Sequence, residues 1–483
     1  MANFRWAWLL LGCLLAGCSR ELPGTSVPSG APLPEIKVHL LVVDDAEMAA
    51  AIGQLRGDWQ ARTGAVLVIS ESTADKMLGA EKLPDPLDAV IYPSALLGTL
   101  AERKWIVPLP AEFAGNRELA WSDTFELLQV AETRWGQASW AVSLGSPVLT
   151  CAYRPDLLER FHKRPPQSWS EYHELAAFFH RRENLGENAP GADTPWSGTV
   201  EPLAPSWGGR MLLARAAAYA KHRDHYSTLF HIDSMEPLIA GAPWVRALEE
   251  LVADARFGPP NASQLDLAAA RREFLAGHAA FALVYPSHTI AAADQEVGEP
   301  VATAFVELPG SPKVYNFAAE RWDQRGDEES QRVTLLGLAG RLGSIAEQAA
   351  HPDNAFQLLA WLSGPQWGTQ VSTASRATTV YRRSQLHSPQ SWVETSTNVE
   401  AAQQYVRGVN TALNRQQWLD AVRLPGHARY LAALDQAVAQ AVEGSKSPAD
   451  ALTQAAAEWR TITADLGLEA QRQAYRKSLG LDP

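Results

Sequence analysis

Three short, almost unbroken apolar runs alternate with helical stretches over residues 36–103, and this alternation restricts the chain more than any other feature. Residues 36–43 (IKVHLLVV) are a near-continuous apolar run, as expected of a strand buried on both sides. Residues 65–69 (AVLVI) and 88–92 (DAVIY) repeat that pattern. Between the first two, residues 44–60 place Ala49, Ile52, Leu55 and Trp59 at helical spacing, and Thr63-Gly64 ends the stretch. A further helix is expected over residues 94–103. Strands interleaved with helices predict an α/β chain on a largely parallel sheet. Ligands of such sheets sit beyond the carboxyl ends of the strands. Asp44, Asp45, Tyr92 and Ser94 stand at those ends and are candidate contacts. The two aspartates also fit a solvated turn or a helix N-cap, and Tyr92 also fits core packing.

Composition narrows the class. The 483 residues are 46% apolar and 20% charged, ordinary globular usage that excludes a disordered chain. The formal net charge of −12 excludes tracking of nucleic-acid phosphates, which needs a basic face. Two of the three cysteines lie in the first eighteen residues, so the body has Cys151 alone, with no intrachain disulfide or zinc knuckle. At the start, Arg5 precedes an apolar run over residues 6–15, and Leu15-Ala16-Gly17-Cys18 follows. The run is shorter than the roughly 20 residues needed to span a bilayer as a helix, and it reads as a secretory signal. Its exit resembles the bacterial lipoprotein signal, in which the cysteine becomes the lipidated first mature residue. Residues 1–17 are then a signal peptide, Cys18 the lipid attachment site, and residues 18–34, rich in Ser, Pro and Gly, a flexible tether.

Later motifs carry a family resemblance. Residues 140–146 (WAVSLGS), 153–157 (YRPDL) and 165–169 (PPQSW) follow one another in order. Residues 274–281 (FLAGHAAF), 305–310 (FVELPG), 354–357 (NAFQ) and Trp361-Leu362 come after them. Together with the opening strands, the series resembles the family-1 extracellular solute-binding proteins, the receptors of ATP-driven importers. Arg154 stands where that family has Asn, and Ser143 where it has Pro. Residues 320–332 are strongly charged and read as an exposed insertion, followed by Leu335-Leu336-Gly337 where the family often has Gly-Gly. Helices are expected over residues 427–442 and 447–466.

The resemblance implies a type II periplasmic-binding-protein-like fold with two α/β lobes around a ligand cleft. Lobe one would hold residues 35–143 plus 304–365, and lobe two 144–303 plus 366–483. Hinges would fall near 143–147 and 305–309, with a third crossover near Gly364-Pro365. It further implies a bound carbohydrate, delivery to an ABC-type permease, attachment to the membrane through the lipid anchor, and a monomer without cofactor. For a sugar, the cleft asks for aromatic faces and hydrogen-bonding groups. Tyr285, ending an apolar strand, and Tyr430, near the start of a closing helix, match positions of family contacts, and each also fits packing. Ser143 and Ser146 flank the first crossover as contacts or as hinge residues. Trp207, beside Gly208-Gly209, suits a cleft wall or packing between lobes. Trp59, Trp105, Trp169, Trp361 and Trp459 read as structural.

Catalytic and metal signatures were sought in the sequence. It contains no Gly-x-Ser-x-Gly elbow, P-loop, HExxH or Gly-x-Gly-x-x-Gly. His222, His225 and His231 form one histidine cluster, read as a polar helix end, and Cys151 reads as a buried thiol. The leading expectation is a solute receptor. The alternatives are a lipoprotein hydrolase of extracellular polymer and a sensing or scaffold protein with a degenerate cleft. For the anchor, Cys18→Ala should abolish lipid labelling and release the chain from the membrane fraction; retained labelling would refute the lipoprotein reading.

Overall fold

The structure, a computed structural model, describes residues 36–288 and 300–481. Cys18, the signal and the tether lie outside the described residues.

The three apolar runs form one edge of the first sheet. Lys37–Val43 lies between Val66–Ser72 and Ala89–Pro93, parallel to both. The expected helix over 44–60 divides at Leu55 into Ala46–Gln54 and Arg56–Thr63. Gly64 closes the second at φ 74°, a left-handed turn that glycine adopts without a steric penalty. Arg341–Ala346 then enters antiparallel beside Ala89–Pro93, and pairs also with Ile106–Val107 and Val142–Ser143. The first sheet is thus completed by a strand from far along the chain.

The second sheet has the order Ala304–Glu307, Thr150–Tyr153, Ala279–Val284, Ser197–Val200. This corrects the expected lobe boundaries. Residues 304–336, assigned to lobe one from sequence, stay with the second sheet, because Ala304–Glu307 pairs antiparallel with Thr150–Tyr153. Pro309-Gly310 is a connection within that lobe: the Gly310 amide donates to Gln167 O (2.9 Å), and the Trp169 amide donates to Gly310 O (3.0 Å). The return to the first sheet falls at residues 337–340, where Gly337 (φ 73°) and Gly340 (φ 117°) absorb the turn. A Cβ at Gly340 would approach Gly145 O and Ser146 within 3.2 Å, so the two crossovers touch.

The third crossover also moves. Gly368–Ala374 packs against Ala46–Gln54 and Pro352–Ser363 of the first lobe. Arg382, fully buried, donates to Ser363 O (2.7 Å) and Leu119 O (2.8 Å) there. By Glu394, which accepts the Ser287 amide (3.2 Å) and pairs with Arg271 (3.3 Å), the chain has crossed back, and Val399–Leu413 then packs on Ala304–Glu307. The charged stretch 320–332 is largely exposed, with Arg325 buried. Lys313–Asn316 and Arg321–Gln324 form a hairpin, and buried Arg325 fastens it to the end of helix Gly208–Ala220 through Ala218 O (2.9 Å) and Lys221 O (3.2 Å). The closing helices are His427–Val442 and Pro448–Leu466, the latter capped by Ser447. A last helix, Leu468–Ser478, reaches back to lobe one, where Lys477 O accepts from the Gly136 amide (3.0 Å) and Gly480 O from the Gln137 side chain (2.7 Å).

Trp59, Trp169, Trp361 and Trp459 are fully buried, and Trp105 is half-buried beneath Arg103. Cys151 is a free, buried thiol whose ionisation burial pushes well up. The second lobe encloses a charged knot: Arg215 reaches Glu201 (2.8 Å) and Asp254 (2.6 Å) over the Trp169 ring (4.2 Å). All three ionic groups are at most 4% exposed. Removing one member of such a set strands the others without a countercharge. Arg215→Leu should cost about 3–5 kcal/mol, read as a lowered midpoint in urea unfolding; an unchanged midpoint would show the knot to be neutral.

Candidate functional site

The strand-end residues chosen from sequence have differing surroundings. Asp44 is exposed at φ 54°, and its carboxylate accepts the Ala74 amide (3.1 Å). Asp45 is buried; it caps the first helix through the Met48 amide (3.0 Å) and pairs with Arg341 (2.8 Å) and the Ser375 hydroxyl (2.5 Å). Both therefore have the turn and cap roles that their sequence also allowed. Tyr92 lies fully inside the core, its hydroxyl on Ser344 Oγ (2.7 Å). Tyr430 is also fully buried, against Phe230 and Trp459, with its hydroxyl shared between Thr463 (2.9 Å) and Gln471 (3.2 Å). Both rings pack within helices and sheet, and neither lines the cavity between residues 130–136 and 221–229.

Other members of the set do meet. Tyr285, 2% exposed, lies beside Trp207 with ring centroids 6.4 Å apart. Trp207 itself is half-buried under the Arg210 guanidinium (5.2 Å). Ser143 Oγ accepts the Gly145 amide (3.3 Å), a contact within the first crossover. Ser94 donates to Ala339 O (2.9 Å) in the second crossover. Ser146 donates to Glu132 Oε1 (2.5 Å), on a π-helical turn, Leu128–Glu132. Ser94 and Ser146 thus flank one buried carboxyl. Burial pushes Glu132 up to about 7, only partly offset by the Ser146 hydroxyl, the Arg423 charge and Ser94.

Arg423 connects this cluster to a cavity of about 350 Å³. Lobe one lines it with residues from Val130 to Gly136, and lobe two with residues from Lys221 to Leu229. The strand Trp418–Asp420 and the last helix supply the remaining wall. That strand runs parallel to Thr334–Leu336, which fixes Trp418 and Asp420 at the rim of the crossovers. Trp418 donates its indole N–H to Asp420 Oδ2 (3.3 Å), and Arg423 lies 3.8 Å from the same oxygen. Asp420 Oδ1 has no hydrogen-bond partner among the described residues. Burial raises this carboxyl, and Arg423 pulls it back in part. Tyr226 stands 72% exposed at the cavity, and Tyr475 shares a hydrogen bond with Ser227 (2.6 Å). Aromatic faces beside a carboxylate and cations are the groups that hold a polyhydroxylated solute.

Sequence reading missed Trp418, Asp420, Arg423 and Lys221. A three-residue strand shows no period, and its partner lies in the segment read as departing from the family pattern. His222 and His225, singled out as a polar helix end, do border the cavity. His222 faces Asp323 (3.5 Å) and His225 faces Asn316 (3.1 Å). Among the described residues, no three His, Cys, Asp or Glu side chains converge as metal ligands.

Neither a protein-family model nor a curated protein sequence matches the chain. Solved structures do match its fold. An ABC transporter solute-binding protein from Agrobacterium radiobacter K84, in complex with ribitol, superposes with a TM-score of 0.64 at 16% identity, covering 89% of this chain and 100% of that one. The sugar-binding protein MalE from the phytopathogen Xanthomonas citri gives 0.65 at 16%, covering 89% and 98%. Maltose-bound MalE3 of T. maritima gives 0.63 at 15%, covering 88% and 100%. The likeness defines the fold as the two-lobe architecture of periplasmic binding proteins, as the sequence led one to expect.

The Glu132 carboxyl generates a stability prediction. Its folded-state affinity for a proton exceeds that of the unfolded chain, so between about pH 4.5 and 7 the folded form holds the extra proton. Stability falls as pH rises through that window, by on the order of 3 kcal/mol for a shift of this size. Glu132→Gln should flatten this part of the profile, compared by melting at about pH 5 and about pH 8. Equal slopes in both proteins would remove Glu132 as the cause.

Proposed function

We propose that this chain is an extracytoplasmic solute receptor that holds a small carbohydrate or polyol between two lobes and presents it to an ABC-type permease. The observation that carries the reading is the cavity at the crossovers, walled by both lobes and furnished with Trp418, Tyr226, Asp420 and Arg423. Likeness of fold to proteins solved with ribitol and maltose supports it. In this reading the chain works as a binding protein without chemistry of its own, tethered as a monomer through Cys18 and the 18–34 linker. Among the described residues, no helix is long and apolar enough to cross a membrane, so the lipid would be the attachment. Closure about the crossovers supplies function: a solute touching both lobes binds the closed form better and shifts the population toward it. The permease then meets a surface that exists only when the receptor is loaded. Of the residues singled out from sequence, Ser94 and Ser146 act behind the cavity wall through Glu132, and Trp207 packs with Tyr285 within lobe two.

A thermal-shift survey over sugars and polyols tests this, because a ligand at about 100 times its Kd adds about 2.7 kcal/mol to apparent stability. Trp418→Ala should weaken the best solute by about 1–3 kcal/mol, the scale of one packed aromatic face, with little change in unliganded melting. Small-angle scattering should show a smaller radius of gyration with solute. No shift with any saccharide or polyol would overturn the receptor reading.

A further inference from the structure

The lining of the interlobe cavity runs against the charge of the chain. The protein carries −12 overall. Yet Arg134, Lys221, Arg223, Arg423 and Lys477 border the cavity, with Asp420 as the one carboxylate among its lining residues. Three of these cations have carboxylate partners: Lys477 meets Glu102 (3.0 Å), Arg423 meets Asp420 (3.8 Å), and Arg223 meets Asp224 (3.8 Å). Lys221 and Arg134 have no carboxylate within ion-pair distance among the described residues. Lys221 Nζ donates to Tyr226 O (3.2 Å), and Arg134 Nη2 donates to Gln137 O (2.8 Å).

Lys221 is the informative one. It follows helix Gly208–Ala220 as its C-cap, so the sequence delivers it to the point where both lobes meet. Its burial is strong enough to disfavour the ammonium, and Asp420, already engaged by Trp418 and Arg423, offsets that only in part. A half-buried ammonium without its own countercharge gains from any anion that completes it. Lobe one presents Arg134 to the same cavity and lobe two presents Lys221. A group bearing negative charge would therefore be attracted by both lobes at once, which is the differential interaction that closure needs.

We infer that the solute of this cavity is an acidic saccharide or polyol, one carrying a carboxylate or phosphate held between Lys221 and Arg134 while its ring lies against Trp418 or Tyr226. This rests on the receptor reading and adds the charge of the solute to it. A negative ligand would complete the two cations, Lys221 and Arg134, that the carboxylates around the cavity leave unmatched.

The test is titration calorimetry of the mature protein with matched probes: glucose, glucuronate and glucose 6-phosphate, then maltose and digalacturonate, with acetate and inorganic phosphate alone as further arms. At least one acidic probe should bind about tenfold or more tightly than its neutral counterpart. The difference should shrink as NaCl rises from about 50 to about 500 mM, since screening shortens the reach of both cations. Glucuronate against glucose 6-phosphate distinguishes a carboxylate from a phosphate. In Lys221→Gln the acidic-to-neutral ratio should fall toward one while unliganded melting stays level or rises, and Arg134→Gln should lower the ratio independently. Neutral sugars binding as well as or better than acidic ones would overturn this inference and leave the receptor reading standing. Acetate or phosphate alone binding as tightly as the acidic sugars would also overturn it. No binding by any probe, confirmed by the wider thermal survey, would overturn both.

Discussion

Arg341 holds the place where three separate passes of the chain converge. It is the first residue of the strand that completes the first sheet, it is 7% exposed, and its guanidinium grips the carboxylate of Asp45 and the carbonyl of Asp44 (2.7 Å). Ser375, from the third pass, grips the same carboxylate. One acid at the end of the first strand thus ties the opening helix, the second crossover and the approach to the third. In a buried setting this has an asymmetric consequence: the assembled set is roughly self-compensating, but losing any one member leaves the rest desolvated and unmatched. Asp45, Arg341 and Ser375 all stand on the first-lobe side of the crossovers, and the set they form is expensive to break. Glycines at positive φ, Gly145, Gly337 and Gly340, lie beside this set in the first two crossovers.

From that set the electrostatics run outward in a chain of shared partners. Ser146 bonds Glu132, the Glu132 carbonyl accepts from Arg423 (3.0 Å), Arg423 faces Asp420, and Asp420 accepts from Trp418. A solute near Trp418 and Asp420 is therefore within a few polar contacts of the first crossover. The Arg423 charge partly offsets the effect of burial on both Glu132 and Asp420, so the two carboxyls share one electrostatic partner. The same wiring explains why the serines beside the crossovers are polar without lining the cavity themselves: they stabilise a carboxyl that supports its wall.

The sequence made the first sheet legible because strands buried on both faces leave unbroken apolar runs, and 36–43, 65–69 and 88–92 all became strands in parallel register. Helix 427–442 was legible from Pro425-Gly426 in front of it and an apolar stripe along it. The crossovers were not. Pro309-Gly310 carries the same punctuation whether the chain changes lobes or turns inside one, and the deciding facts are pairings with Thr150–Tyr153 and Gln167, far away in sequence. Strand-end aromatics were ambiguous for a related reason. Position at a strand end does not tell whether a ring turns to solvent or to a neighbouring strand, and Tyr92 turned to Ser344. Trp418 and Asp420 were invisible because three residues have no period and their neighbour, Thr334–Leu336, comes from a stretch without a clear pattern.

The chain's last residues have a temporal consequence. The first sheet cannot be finished until Arg341–Ala346 is available to sit between Ala89–Pro93 and Ile106–Val107, and the surface around Gly136 is not covered until Lys477 and Gly480 arrive. Contacts of such long sequence separation form late and slowly. A growing polypeptide of this sequence therefore completes its first sheet only once residue 346 has been made. The three parallel strands within residues 37–93 are neighbours in sequence and need no later residue to pair, but the open edge of Ala89–Pro93 waits for Arg341–Ala346, and an unpaired edge of that kind is a site where chains misassemble.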